Sequence, residues 1–343
     1  MAHSDVTVNI KLSSESGTSG FGYPLIFSGK LSAGYDYTEC SSLEEVAAVA
    51  GDNSAAYNAA KLIWMQNNPP RMIAVYGSTE KCTAALPAIL NKGWRHLIVT
   101  SLATEGEDTT EAIASYIETT KKAFYFSTTK YENTVKYKRS IGLYYADDFT
   151  TPSTPTSSIA NPEAALVGAV AGKPAGSVNF KNLILVGLTP LDMDTATLTT
   201  VHENGLITVL QKSGDIVTSN GKTTDGKTYC DLLDTEDWII LELIYRTQKA
   251  MNKADKIPYD NVGIAFLENI CVGVMKEACT MGIVAALTDD EGNITGYDYN
   301  VRYAPRNETT KAERDARRYT RGTFRVTAAG AVDTCDINGV IEI

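Results

Sequence analysis

The chain has 343 residues, 43% hydrophobic and 21% charged, with 31 Lys and Arg against 41 Asp and Glu and a formal net charge of −10. That size provides core for one large or two ordinary globular domains and excludes general disorder. The negative balance argues against nucleic acid as a partner, and no window reaches the roughly 18 uninterrupted apolar residues of a membrane span.

Near the start, Val6, Val8, Ile10 and Leu12 alternate with polar residues at the period of a half-buried strand. Gly17 to Gly22 reads as a flexible joint, and Tyr23 to Phe27 as a short strand. Ser42 and Glu45 form a capping-box pattern for a helix from Leu43 to Ala50, which Gly51 stops. A second helix spans Ser54 to Gln66 and ends at Asn67-Asn-Pro-Pro70; an apolar strand, Met72 to Tyr76, follows. Helices at 82–91 and 111–120 bracket the strand Leu97 to Thr100, and further strands are expected at 123–127 and 141–145. Alternation of helix and strand is the signature of an α/β chain.

Residues 150–162, rich in Thr, Ser and Pro, read as a surface loop before a helix over 163–171 and a buried strand over 182–187. Beyond Pro190 a short helix (198–204), two strands (206–212 and 215–219) and an Asn220-Gly221 turn precede a long amphipathic helix over 237–255. Another helix falls within 258–281, and Asp289 to Asn293 turns a hairpin.

The end of the chain carries the strongest charge asymmetry. From Arg306 to Arg325 there are seven Lys or Arg against three acids, a local +4 that leaves −14 for the remainder. Lys311 to Arg321 reads as a helix, with Lys311, Arg314, Arg318 and Arg321 in one stripe beside a face of Ala312, Ala316 and Tyr319. Such a stripe is either a solvated face or a docking patch for an acidic partner. Phe324, Val326 and Ala328 then alternate as a strand, and Asn338-Gly339 supplies a tight hairpin turn before Val340 and Ile341. Both end strands either pair within their own domain or act as arms that complete sheets in neighbouring copies, since an open strand edge is a template for another chain.

Catalytic chemistry is mostly missing. Asp192-Met-Asp194-Thr195 resembles the nucleophile loop of aspartyl phosphotransferases, but Leu188 to Leu191 separates it from the preceding strand and an acid-rich helix start explains it as well. Gly172-Lys173 is followed by proline, so it is no phosphate-binding loop. Six cysteines (Cys40, Cys82, Cys230, Cys271, Cys279 and Cys335) show no CxxC and read as reduced thiols. With only His3, His96 and His202, a zinc site is not expected. Met1-Ala-His-Ser-Asp5 has neither the basic nor the apolar region of a secretory leader, so cytoplasmic synthesis is expected.

Several segments together resemble the contractile tail sheath family of tailed bacteriophages and phage-tail-like bacteriocins. They are Tyr37-Thr-Glu-Cys-Ser-Ser-Leu-Glu-Glu-Val46, Tyr57-Asn-Ala-Ala60, Gln66 to Arg71, Phe180-Lys-Asn-Leu183 with Gly187-Leu-Thr-Pro190, and Asn220-Gly221 with Asp237-Trp238. Glu313-Arg-Asp-Ala-Arg317 and Ala329-Gly-Ala-Val332 through Ile337-Asn-Gly339 are similar to the family's closing helix and hairpin. Asp333 stands where the family usually has His, and Arg318-Tyr-Thr-Arg321 replaces a segment containing proline.

The resemblance implies a mixed α+β (α/β) two-domain sheath fold in compact form. Its parts are an N-terminal arm (1–22), an outer domain (23–190), an inner domain (191–322) and a C-terminal arm (323–343). It also implies a non-enzymatic subunit without cofactors that polymerises with copies of itself around an inner tube protein and meets baseplate and tail-terminator proteins. Synthesis in a bacterial cytoplasm and assembly into a phage tail or tail-like particle follow. On this reading Val6, Val8, Ile10, Leu12, Phe324, Val326, Ile337, Val340 and Ile341 exchange strands between subunits, and Lys311, Arg314, Arg318 and Arg321 face the tube.

Overall fold

Near-continuous apolar runs become strands buried on both faces when helices cover a parallel sheet from either side. The computed structural model, which describes residues 21–102, 109–148 and 156–335, places six such runs in one sheet. These are β1 (Tyr23–Ser28), β3 (Ile73–Gly77), β4 (Trp94–Val99), β5 (Ala123–Thr128), β6 (Ser140–Tyr144) and β7 (Leu206–Ile207). The order is β2-β3-β1-β4-β5-β6-β7, with every pair parallel except the edge strand β2 (Tyr35–Cys40), which runs antiparallel to β3. The chain is thus a mixed α/β protein.

Helices α1 (Leu43–Ala50), α2 (Ala55–Trp64) and α5 (Glu163–Ala171) pack as one group, and α3 (Cys82–Ile89) packs on α4 (Thr110–Glu118). Ser42 caps α1 by accepting from the Glu45 amide, while Glu45 accepts from the amide of Ser41, one residue earlier than a capping box requires. Every residue of α5 from Glu163 to Val170 is buried, because the helix lies between α2 and the sheet. Gly168 makes that possible, since a Cβ there would collide with the backbone of Ile63.

The same burial makes Glu163 costly. One carboxylate oxygen accepts from Asn161 Nδ2 at 2.9 Å, and burial pushes the pKa up to about 7. An acid whose folded-state pKa exceeds its unfolded value contributes stability that is complete below the unfolded pKa and lost as pH rises through the folded one. The window here runs from about 4.5 to about 7 and is worth about 3 kcal/mol. Glu163→Gln should flatten that decline and raise stability at pH 8 but not at pH 4.5; urea midpoints at the two pH values check it.

After α5 come α6 (Thr195–Glu203), the hairpin of β8 (Val209–Lys212) with β9 (Asp215–Thr218), and two long helices, α7 (Cys230–Lys253) and α8 (Asn261–Thr280). Segment 182–187, expected as a strand, forms only the bridge Ile184 to Val217, because Asn182 (φ 60°) and Gly187 (φ 85°) turn the backbone at both ends. A first core runs from Leu25 to Cys230 and takes in Leu191, Val201, Leu206, Ile207 and Val209, so it spans both sides of the expected 190/191 boundary. A second core joins Trp238, Ile239 and Leu243 of α7 to Cys271, Val274 and Met275 of α8 and to Ile283 and Val284. The α7 helix therefore starts in one core and continues into the other.

The final layer consists of β10 (Ala286–Thr288), β11 (Ile294–Tyr297), β12 (Tyr299–Tyr303), the short helix α9 (Lys311–Asp315) and β13 (Gly322–Val326). Strand β10 pairs with β11 and β12 with β13, both antiparallel. The two hairpins are locked by a ring of three backbone hydrogen bonds: Ala285 N–H to Thr327 O (2.9 Å), Thr327 N–H to Asp298 O (2.9 Å) and Asp298 N–H to Ala285 O (2.8 Å).

Candidate assembly surface

The basic segment does not form the long helix expected from Lys311 to Arg321. Thr310 and Glu313 make a true capping box that starts α9, but the helix ends after Asp315 and Arg317 takes a left-handed conformation (φ 53°). Tyr319 then turns inward, donating to Ala304 O at 2.8 Å and stacking on Tyr303 with centroids 5.7 Å apart. With the helix broken, the four residues of the stripe part company. Lys311 pairs with Asp315 at 3.4 Å, Arg314 folds back onto the carbonyl of Thr309, and Arg321 pairs with Glu313 at 3.1 Å. Arg317 and Arg318 are exposed and have no ion pair among the described residues. Hydrogen bonds that Glu313 accepts from the Thr320 hydroxyl, the Thr310 amide, Arg321 and the Thr310 hydroxyl hold its carboxyl down to about 2.

The strand-exchange residues divide between described and undescribed positions. Val6, Val8, Ile10, Leu12, Ile337, Val340 and Ile341 lie outside the described residues. Phe324 and Val326 lie in β13, which pairs with β12 of the same chain, so one of its edges has an intrachain partner. No strand among the described residues pairs with the other edge of β13. Open edges of this kind are where a further strand can add.

Asp192 and Asp194 lie at the start of α6. Asp194 is the N-cap of α6 and accepts from the Thr197 amide at 2.7 Å, which lowers its pKa, and Asp192 is exposed. Replacing Asp194 by alanine should cost about 1 kcal/mol of stability, the usual value of a lost cap, and abolish no activity; thermal melts of Asp194→Ala and Asp192→Asn check both statements.

The most strongly perturbed group of charges is enclosed. Helix α7 begins at Cys230, seven residues before the expected Asp237, because acids in its first two turns meet cations at the N-terminal ends of three parallel strands. Arg95 of β4 donates to Asp234 at 2.9 Å and lies 2.9 Å from Asp237; Arg139, just before β6, reaches Asp237 at 2.6 Å, and Lys121, just before β5, at 3.3 Å. Burial pushes Asp234 up to about 6 against the pull of Arg95. For Asp237 burial is outweighed by Arg95, Arg139 and Lys121, which hold its carboxyl down to about 2. Perturbed carboxylates suggest a functional site when they line a cleft. Here Asp237 is 0% exposed, and the cavity beside Asp234 holds about 30 Å³, room for about one water.

Both ends of the described chain reach this cluster. The Phe21 ring lies 4.9 Å from the Arg95 guanidinium, and the Ala331 backbone amide donates to Asp231 in the first turn of α7, while Asn179 Nδ2 donates to Asp333 at 3.1 Å. Five of the six cysteines are buried free thiols, and no cluster of potential metal ligands occurs among the described residues.

The overall fold is shared with subunits of contractile sheaths. The chain is similar to that of the anti-feeding prophage helical sheath in its contracted state, with a TM-score of 0.72, 12% identity and 99% of each chain covered. It is similar to the contracted sheath complex of an extracellular contractile injection system, PVC (TM-score 0.69, 13% identity, 100% of this chain and 99% of that one). A chain of the anti-feeding prophage baseplate matches with a TM-score of 0.70 and 13% identity over the whole of both chains. No protein-family model and no curated protein matches the sequence.

Proposed function

We propose that the chain is the structural subunit of a contractile sheath, polymerising around an inner tube and contracting to drive that tube through a bacterial cell envelope. The observation that carries this reading is likeness over 99% of the chain to a chain of a helical sheath that is itself covered to 99%. No nucleotide or cofactor is needed: in such an assembly the energy is stored in subunit contacts made at assembly, and rigid subunits repack on release. The likeness to a baseplate chain supports contact with a baseplate at one end of the sheath. A tail-terminator at the other end, synthesis in a bacterial cytoplasm and incorporation into a phage tail or tail-like particle belong to the same proposal. Electron microscopy of the chain expressed with its neighbouring tube protein tests it: striated tubes support the reading, and monomers under all conditions overturn it.

The basic segment is proposed to face the tube. A contact that must hold and then release suits exposed charge, which gives register with modest affinity and weakens with salt. Because Lys311, Arg314 and Arg321 are engaged within the chain, the unpaired Arg317 and Arg318 are the better probes. Arg317→Glu with Arg318→Glu should abolish sheath formation on tubes while leaving tube-free polymers; normal sheathed tubes from that variant would assign the segment to a solvated face.

A further inference from the structure

Helices α7 and α8 run side by side and meet at a turn, residues 254–260, whose surface carries features with no use inside the chain. Met251, Val262 and Phe266 are 40%, 75% and 44% exposed, an apolar patch on the last turn of α7 and the first turns of α8. Lys253 and Lys256 lie at this turn with the exposed Asp255 between them, Asp260 is engaged as the cap of α8 by accepting from the Gly263 amide at 2.9 Å, and Arg306 donates to Tyr259 O at 3.1 Å. None of the three cations has an ion pair among the described residues.

The β10–β11 hairpin has the opposite character. Leu287 and Ile294 are 49% and 61% exposed on its strands, and its turn carries Asp289, Asp290 and Glu291, with no cation between residues 286 and 298. Asp289 is spent on the turn itself, accepting from the Asn293 amide at 2.8 Å, which leaves Asp290 and Glu291 free of ion pairs among the described residues. The hairpin follows the C-terminal end of α8, whereas the basic patch sits at the N-terminal end, about 27 Å away along 18 helical residues. The hairpin strands, three and four residues long, are too short to fold back over that distance.

We propose that the β10–β11 hairpin of one copy docks on the α7–α8 turn of another, Leu287 and Ile294 covering Met251, Val262 and Phe266 while Asp290 and Glu291 meet Lys253, Lys256 and Arg306. Two different patches on one chain make a head-to-tail contact, which propagates into an open array rather than closing as a dimer. The proposal rests on the assembly reading above and adds to it a subunit contact independent of the terminal strands and of the basic segment 311–321.

Charge exchange tests it on the purified full chain, with polymer measured by sedimentation and electron microscopy and the fold of each variant checked by circular dichroism. Asp290→Lys with Glu291→Lys, and separately Lys253→Glu with Lys256→Glu, should each raise the concentration needed for polymer at least tenfold. Combining all four substitutions should restore polymer, as coupled sites require. Variants that polymerise like the wild type, or a combined variant no better than the worse of its parents, overturn the contact while leaving the assembly reading intact. If the lysine variant loses only assembly on tubes while the hairpin variant is unaffected, the turn binds the tube protein instead and the proposal fails. A wild type that never polymerises, alone or with tube protein, removes the assembly reading and the contact together.

Discussion

Replacing Asp237 by alanine should cost roughly 3–5 kcal/mol, the expected loss when one partner of a buried ion pair is removed and its counter-ions stay behind. Arg95, Lys121 and Arg139 would then share the single carboxylate of Asp234 in a region where their own side chains are 3% exposed or less. The acid limb of the stability curve should also change. With its folded-state pKa held down to about 2, Asp237 contributes stability that is present above its unfolded value near 3.9 and is lost as pH falls toward 2. Asp237→Asn keeps the shape and should remove that part of the acid transition. Urea unfolding of both variants at pH 7 and pH 3 measures the two effects. A loss under about 1 kcal/mol for Asp237→Ala at pH 7 would mean that the cluster does not hold α7 to the sheet.

Deleting residues 1–12 should have the opposite profile, with folding retained and assembly lost. Among the described residues the first core begins at Leu25 and Phe21 already contacts Arg95, so folding is expected not to need the alternating segment Val6 to Leu12. If that segment supplies a strand to a neighbouring copy, the truncated chain should remain a soluble monomer with a melting temperature within a few degrees of the full chain and form no polymer. Sedimentation and thermal melting distinguish the outcomes. Polymers from the truncated chain, or its unfolding, would each refute strand exchange through this segment.

The parallel sheet and its helices were legible in the sequence because burial writes the pattern directly: β1, β3, β4, β5 and β6 are apolar runs bounded by turns. The edge strand β2 was missed because Tyr35-Asp-Tyr-Thr-Glu-Cys40 faces solvent along much of its length and lacks an apolar run. The start of α7 was misplaced for a related reason. Asp231, Asp234 and Asp237 look like the polar face of a surface helix, and nothing local reveals that Arg95, 139 residues from Asp234, removes them from water. The basic stripe failed through its backbone, since side-chain spacing cannot show that Arg317 will take a left-handed turn and send Tyr319 inward. The cations of the α7–α8 turn could not be grouped from the sequence because Arg306 meets Tyr259 only through the packing of β12 along α8.

The convergence of both ends of the described chain on the start of α7 fixes the path that a pull between them would take. At one end the Phe21 ring contacts Arg95, and at the other the Ala331 amide donates to Asp231; Asp234, one turn along α7 from Asp231, is bonded to Arg95. Tension between the two ends therefore crosses one buried ion pair and a single helical turn, and the strands from β5 to β7 lie off that line. Such a layout lets the sheet from β5 to β7 and its loops vary without lengthening the path between the two contacts.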